Sequence, residues 1–379
     1  MAALGEQLRF GIAGMGLMGR GYFRILREHE GVCVTAVCDS DPDRLRPEWY
    51  HAAHEGTASS NDDDRVLGLG GQSFAGTRAA VRALASFYEL AACPDVNVVA
   101  ITLPTALHAD AAVAALENGK HVICEKPMAL STADCDRMVA AARANGTVLM
   151  IEQCVRFFPQ YELIKQYVDE GRVGRVRHAS LVRLSSPPTH SKDDWMLDSR
   201  QSGGAICDLH IHDVDFAQHL LGTPETIQAR GCVGPSGGID HVVATYTYAN
   251  GAYAVLEGGW SLHAPFPFDM AITVRGETGT MHWTASKGSA VLLYRGGSEP
   301  VVLECSNEGG TRRLIRYFLE ELRAGGGLER CTAESARASM ALAELEVEAV
   351  RTGATISVRE VAGMGSRRPG CASAVSRRH

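Results

Sequence analysis

The sequence predicts an α/β domain built on a parallel sheet, followed by an α+β domain with an open, mainly antiparallel sheet. Three observations carry this reading. Apolar, β-branched runs alternate with helical patterns as far as residue 153, a glycine-rich turn breaks the first strand–helix step, and beyond residue 153 the rhythm changes to hairpins. A chain of 379 residues is also long for one hydrophobic core, so two domains are expected.

The first strand is the apolar run Leu8 to Ile12. It breaks into glycines, and the chain resumes with Leu17, Met18, Tyr22, Ile25 and Leu26 at the spacing of one helix face. "VCVTAVCD", "VNVVAITL", "HVICE" and "TVLMIEQ" continue the strands; "ALHADAAVAALENG" and "STADCDRMVAAARANG" supply helices between them. Strands apolar on both faces belong in a parallel sheet covered on both sides. In the second half, Asn250-Gly251 separates two strand-like runs, a hairpin signal because both residues tolerate positive φ. A second hairpin turns at Glu277 to Gly279, and helices are expected near 158–170, 208–221, 312–324 and 333–351. The domains are placed at 1–153 and 154–362. The polar, glycine-rich stretch 46–79 reads as a solvated insertion, and the arginine-bearing tail 363–379 as disordered.

Composition narrows the function. The chain is 45% hydrophobic and 21% charged with a net charge of −7, and neither nucleic acid nor an anionic membrane is indicated. No basic n-region precedes an apolar h-region, and no apolar run is long enough to span a bilayer. The eleven cysteines are scattered without a C-x-x-C pair, which reads as a reducing cytosol with neither a disulfide framework nor a paired-cysteine metal site.

Gly14-Met15-Gly16-Leu17-Met18-Gly19 is G-x-G-x-x-G, following a strand and opening a helix, with Asp39 at the end of the next strand. Gly14 permits the tight turn, Gly16 lets backbone approach a pyrophosphate, and Gly19 allows the helix to sit close to the strand. The helix N-terminus beginning at Leu17 and Met18 offers unpaired N–H groups to the phosphates. Asp39 would accept hydrogen bonds from a ribose 2′-hydroxyl and repel a 2′-phosphate, favouring NAD over NADP; Arg44, close by in sequence, speaks the other way. Downstream, Glu125-Lys126-Pro127 ends a parallel strand, where ligands of such sheets bind, so Lys126 is expected beside a nicotinamide ring.

"GGAICDLHIHDVDF", residues 203–216, packs Asp208, His210, His212, Asp213 and Asp215 together. A metal cage, an acid–base pair and the polar edge of a helix are all open readings. Ile206, Leu209, Phe216, Ala217 and Leu220 recur at helical spacing, which would put Asp208 and His212 on one face, a turn apart. His210 then points elsewhere and takes a structural role. Asp213 and Asp215 read as a solvated or capping face, with Asp215 a possible pocket residue.

With these motifs in order, the chain resembles the Gfo/Idh/MocA oxidoreductases. The matching stretches include "GIAGMGLMGRGYF", "PDVNVVAITLPTALHADAAVAALENGKHVICEKPMAL", "VRFFPQYELIKQYVDEGRVGRV" and "GGAICDLHIHDVDFAQHLLG". The resemblance implies a Rossmann domain followed by a sheet domain that often carries the subunit interface, hence a homodimer or homotetramer. It places Lys126 beside the reacting hydroxyl, Glu125 near the nicotinamide ribose, Asp208 and His212 as an acid–base pair, and Pro104, Thr105 and His108 along the cofactor. The 46–79 segment departs from the usual link between the second and third strands.

The expectation is a cytosolic NAD-dependent dehydrogenase acting on a secondary hydroxyl of a sugar, inositol or related cyclic polyol, without a metal. Arg156, His190, Asp194 and Trp195 are candidates for reading substrate. The rival within the same fold is a glycosidase that oxidises transiently with no net redox change; the rival outside it is a metal-dependent hydrolase using His210 and His212.

Overall fold

The structure, a computed structural model, describes residues 7–51, 81–189, 191–325 and 327–358. Most of the 46–79 segment, His190 and the 363–379 tail lie outside the described residues.

Six strands form the first sheet: β1 (Leu8–Ala13), β2 (Val32–Cys38), β3 (Arg82–Leu84), β4 (Val98–Ile101), β5 (His121–Cys124) and β6 (Leu149–Ile151). All pairs are parallel and the order is β3-β2-β1-β4-β5-β6. This is the doubly wound arrangement, whose strand order reverses between β1 and β4 and opens a crevice at the carboxyl ends. Helix α1 (Leu17–Arg27) buries Tyr22, Phe23, Ile25 and Leu26 against one face, as its sequence spacing predicts. A short helix α2 (Pro47–His51) and α3 (Phe87–Ala92) follow, then α4 (His108–Glu117) and α5 (Thr132–Asn145). Ser131 caps α5 by accepting from the Asp134 amide, and Gly146 ends it at a φ of 61° that an L side chain resists.

The second sheet has nine strands: β7 (Val176–Leu184), β8 (Thr226–Val233), β9 (Ile239–Thr247), β10 (Tyr253–Gly259), β11 (Asp269–Gly276), β12 (Thr280–Thr284), β13 (Val291–Tyr294), β14 (Val301–Leu303) and β15 (Ile356–Ser357). Every pair is antiparallel except β7 with β10. Both predicted hairpins form: Tyr253 pairs with Thr247 across Asn250-Gly251, where Gly251 sits at a φ of 78°, and β11 pairs with β12 across residues 277–279. The alternation along β9, β10 and β11 is buried on one side and partly open on the other.

The remaining helices are α6 (Pro159–Asp169), α7 (Ser199–Ser202), α8 (Ala205–Asp208), α9 (Ile211–Leu221), α10 (Gly310–Ala324) and α11 (Ala333–Thr352). Helices α9 and α11 cover the buried face of the second sheet. Helix α10 follows that sheet in the chain yet packs on the first one, where Leu314, Ile315, Phe318 and Leu319 join Phe10, Ile12, Tyr22 and Phe23 in a core. The predicted single helix over 208–221 is two, and that break shapes the site. Among the described residues no helix is long and apolar enough to cross a membrane.

Candidate active site

The glycine turn has the geometry its residue types demand. Gly14 adopts a φ of +92°, and a Cβ there would lie 2.6 Å from Thr102 O. A Cβ on Gly19 would collide with Gly14 O, so the helix–strand approach tolerates hydrogen alone. Gly16 differs: the nearest atom to a Cβ would be Arg44 Nη1 at 3.5 Å. The backbone is therefore open at the N-cap of α1, and Gly16, Leu17 and Met18 are only partly buried. Asp39 stands just beyond β2 and accepts from the Met15 amide at 2.7 Å and the Asp41 amide at 2.8 Å, while Arg44 Nη1 lies 3.9 Å away. Trp49, which sequence reasoning did not single out, donates from Nε1 to Met15 O at 2.8 Å, with the Arg20 guanidinium 4.6 Å from its ring centre. No periodic pattern marks a lone tryptophan at the start of a polar insertion.

The ends of β4 and β5 supply the other half of the crevice. Pro104 opens the turn after β4; Thr105 behind it is buried, and its Oγ1 has no hydrogen-bond partner among the described residues. His108 is a correction to the expected cofactor lining. Its two ring nitrogens lie 2.9 Å from Pro127 O and Leu103 O, so it ties the two loops together from behind. Glu125 is buried at the end of β5, with one oxygen accepting from the Lys126 amide and Oε1 without a partner among the described residues.

Lys126 reaches out of this lobe to Asp208 of the other, donating from Nζ to Asp208 O at 2.8 Å and to Oδ1 at 3.3 Å. The break between α8 and α9 makes this contact available. The Leu209 amide bonds Ala205 O at 2.9 Å and the His210 amide bonds the same carbonyl at 2.8 Å, an i to i−5 widening of the turn. The expected single helical face for Asp208 and His212 is corrected accordingly: they end one helix and begin the next, and the Asp208 carboxylate pairs with Lys126. His212 is buried, with Nδ1 unpartnered among the described residues.

The remaining polar residues of this stretch face inward. His210 is fully buried with Nε2 on Glu346, which also accepts from Tyr246 Oη at 2.8 Å. His210 and His212 therefore do not present a ligand pair. Asp213 and Asp215 were expected on a solvated or capping face and are both fully buried. Arg183 forks onto Asp213 with both bonds at 3.0 Å, and Arg156 onto Asp215 at 2.7 and 2.6 Å, with Ser339 also donating to Asp215. Arg156, a candidate substrate reader, is thus committed to a structural pair. Asp194 is exposed at a φ of 51° and Trp195 half-buried, in a segment whose Lys192 lies 3.2 Å from Asp41, just past the end of β2.

The electrostatics follow from burial. Burial alone would lower the Lys126 ammonium, but Asp208 and Glu125 hold its pKa above the ordinary lysine value. Burial, reinforced by Lys126 and Arg183, pushes His212 well below the usual histidine range, so the imidazole is a neutral acceptor at neutral pH. A dinucleotide's phosphates and ribose could be held by the open Gly16 backbone and Asp39, and Thr105 Oγ1, Glu125 Oε1 and His212 Nδ1 are buried polar atoms left without a partner among the described residues.

Fold and site together define a dinucleotide-dependent oxidoreductase of two lobes. The pattern described as "Oxidoreductase family, NAD-binding Rossmann fold" matches residues 8–153, and that described as "GFO/IDH/MocA C-terminal domain" matches residues 161–282. The chain belongs to the Gfo/Idh/MocA oxidoreductase family, and its N-terminal lobe is an NAD-binding Rossmann domain. It is 26% identical over 326 residues to the myo-inositol 2-dehydrogenase of Thermotoga maritima, covering 83% of this chain and 84% of that protein. It is 27% identical over 321 residues to a 2,7-anhydro-N-acetylneuraminate hydratase of Mediterraneibacter gnavus, covering 82% and 77%. A solved levoglucosan dehydrogenase in complex with NADH and levoglucosan has the same fold, with a TM-score of 0.75 at 19% identity over 93% of this chain and 99% of that one.

Proposed function

We propose that the protein is an NAD-dependent dehydrogenase acting on a secondary hydroxyl of a sugar, inositol or related cyclic polyol in the cytosol. The observation that carries this reading is the meeting of the lobes at Lys126 and Asp208, four residues before His212. When bound, nicotinamide supplies hydride acceptance and donation. The chain's own residues then have distinct work. An ammonium has three donors, and Asp208 takes two of those on Lys126, leaving one for the substrate hydroxyl. Lys126 stabilises the charge that develops on that oxygen, and neutral His212 takes its proton as hydride leaves carbon. Asp208 holds Lys126 charged and in place. Asp39 favours NAD by gripping a 2′-hydroxyl, and Asp194 and Trp195 are proposed to read substrate from the segment over the cleft.

Relatives support the substrate class, since one bears the name myo-inositol 2-dehydrogenase. The open face of the second sheet carries Val243 and Tyr253 toward solvent, and a second copy of this chain is its proposed occupant, giving a homodimer or a homotetramer that light scattering would distinguish. The test of function is a panel of polyols and keto-sugars with NAD and NADP, following nicotinamide absorbance in both directions. Turnover of no secondary alcohol or ketone would end the proposal. A second reading draws on the relative named a hydratase, a reaction with no net redox change. Under it, a glycoside or anhydro-sugar would be consumed while NADH failed to accumulate.

A further inference from the structure

Sequence reasoning passed over Glu152, and nothing in the catalytic proposal uses it. Strands β5 and β6 run in step, with Ile123 opposite Met150 and Cys124 opposite Ile151, and the Glu152 amide bonds Cys124 O at 2.8 Å. Glu125 and Glu152 are the next pair in this register. By strand alternation both fall on the face of Ile123 and Met150, the side covered by α1 and α10. Both carboxyls are buried. Thr311 of α10 donates to Glu152 Oε1 at 2.6 Å, and Tyr22 of α1 brings a buried hydroxyl with no partner among the described residues.

We propose that Glu125 and Glu152 act as one proton-holding pair beneath the nicotinamide end of the cleft, and that the charge on this pair sets the preference for oxidised over reduced dinucleotide. The ligand's identity rests on the dehydrogenase reading; the proton sharing does not. The nicotinamide falls here because the glycine turn and Asp39 claim the adenosine half over β1 and β2, leaving the ends of β4 and β5 for the other nucleotide.

The physical case is a count of charges in a small buried volume. Asp208, Glu125 and Glu152 are three carboxyls, and Lys126 is the cation among them, already paired with Asp208. Among the described residues, the other titratable groups that act on the pair are Tyr22 from α1, Cys154 after β6, Cys331 before α11 and, from the opposite face of β5, Cys124, none of them cationic. Two neighbouring buried carboxylates cannot both ionise near neutrality. Burial and then the Glu152 charge drive Glu125 well above the usual range, and burial pushes Glu152 up to about 7 against the pull of its Thr311 bond. The pair is thus neutral in mild acid and singly ionised just above neutrality, with Glu125 the carboxyl that holds its proton longer. An oxidised nicotinamide ring carries a positive charge that the reduced ring lacks. Ionisation of the pair therefore tightens NAD+ relative to NADH, and by linkage NAD+ releases a proton from the pair.

Two measurements on the full chain decide it. Infrared titration of the ligand-free protein, with carboxyl carbons isotopically labelled in glutamate, follows loss of buried carboxyl protons. Two separate steps are expected, the lower near pH 7. Glu152→Gln should leave one step, at least about one pH unit below the upper step of the parent, because the like charge that held the Glu125 proton is gone. Thr311→Val keeps the side-chain shape and removes the donor to Glu152, so the lower step should move to higher pH. The second measurement is the ratio of NADH to NAD+ dissociation constants by fluorescence titration across the same pH range. It should rise about tenfold through the lower step in the parent, and its midpoint should track the infrared midpoint in both variants. An upper carboxyl step unmoved by Glu152→Gln, or a ratio flat with pH, overturns the inference and leaves the dehydrogenase standing. Failure to bind either nucleotide at any pH overturns the dehydrogenase reading as well, while the infrared steps still decide the proton pair.

Discussion

Two kinds of buried cation–carboxylate contact lie within a few residues of each other around His212, and they differ in what they leave over. Arg183 with Asp213 and Arg156 with Asp215 are forked pairs, each guanidinium edge meeting both oxygens of its partner, with side chains at most 5% exposed. Lys126 with Asp208 is a point charge on one carboxylate oxygen and one backbone carbonyl, with the lysine side chain 18% exposed at the edge of the cleft. The planar forks use up the geometry that would recognise a ligand, so they fix helix α9 against the second sheet and the turn after β6. The ammonium keeps a donor. Residue type and burial alone do not tell these contacts apart; residual hydrogen-bonding capacity does.

The largest expected effect breaks the comparison on the reactive side. Either Lys126→Ala or His212→Ala should slow hydride transfer on the best polyol by about a thousandfold. NAD binding should stay within a few-fold, so single-turnover absorbance and fluorescence titration must diverge. A matching loss of both would remove the two residues from the chemistry.

On the structural side, Asp215→Ala strands the Arg156 guanidinium in the interior and should lower unfolding free energy by about 3–5 kcal/mol in urea. Lys126→Met leaves the Asp208 carboxylate unpaired and should lower it as well, but by less, because the lysine side chain is 18% exposed against 5% for Arg156. Equal costs for the two variants would mean that the contacts are of one kind.

Smaller is the effect of Asp39→Ala, which should weaken NAD by about tenfold while NADP binding holds or improves. An unchanged ratio of the two affinities would take Asp39 out of the ribose site, its backbone contacts to Met15 and Asp41 being then its whole role.

The smallest effect links the two regions. After burial and Lys126, the Arg183 charge depresses His212, and a base works only above its own pKa. The parent's acid limb of hydride transfer should therefore lie below the ordinary histidine value. Replacing the fork with uncharged residues, Arg183→Met with Asp213→Asn, removes that positive charge and should move the limb up by as much as about one pH unit. A limb that stays in place would show that the structural pair is electrically silent at the site.

Local chemistry was legible in the sequence. The parallel strands, the hairpin at Asn250-Gly251, the glycine turn and the placement of Lys126 at a strand's carboxyl end depend on steric rules and hydrophobic period acting over a few residues. The widened turn at Leu209 and His210 was not, because its cause is tertiary. His210 is drawn onto Glu346, 136 residues away, and the Asp208 carbonyl is taken by Lys126, 82 residues before it. For the same reason the fates of three similar aspartates could not be told apart. Asp208, Asp213 and Asp215 look alike in the chain, and their partners stand 82, 30 and 59 residues off. Glu152 is the clearest case: an acid after a strand is unremarkable until the register of β5 and β6 sets it beside Glu125 in the buried interior. Which residues could carry the chemistry was written in the order of the chain. Which of them retain the capacity to do so was decided by burial and pairing across it, since desolvation makes every contact between distant segments count.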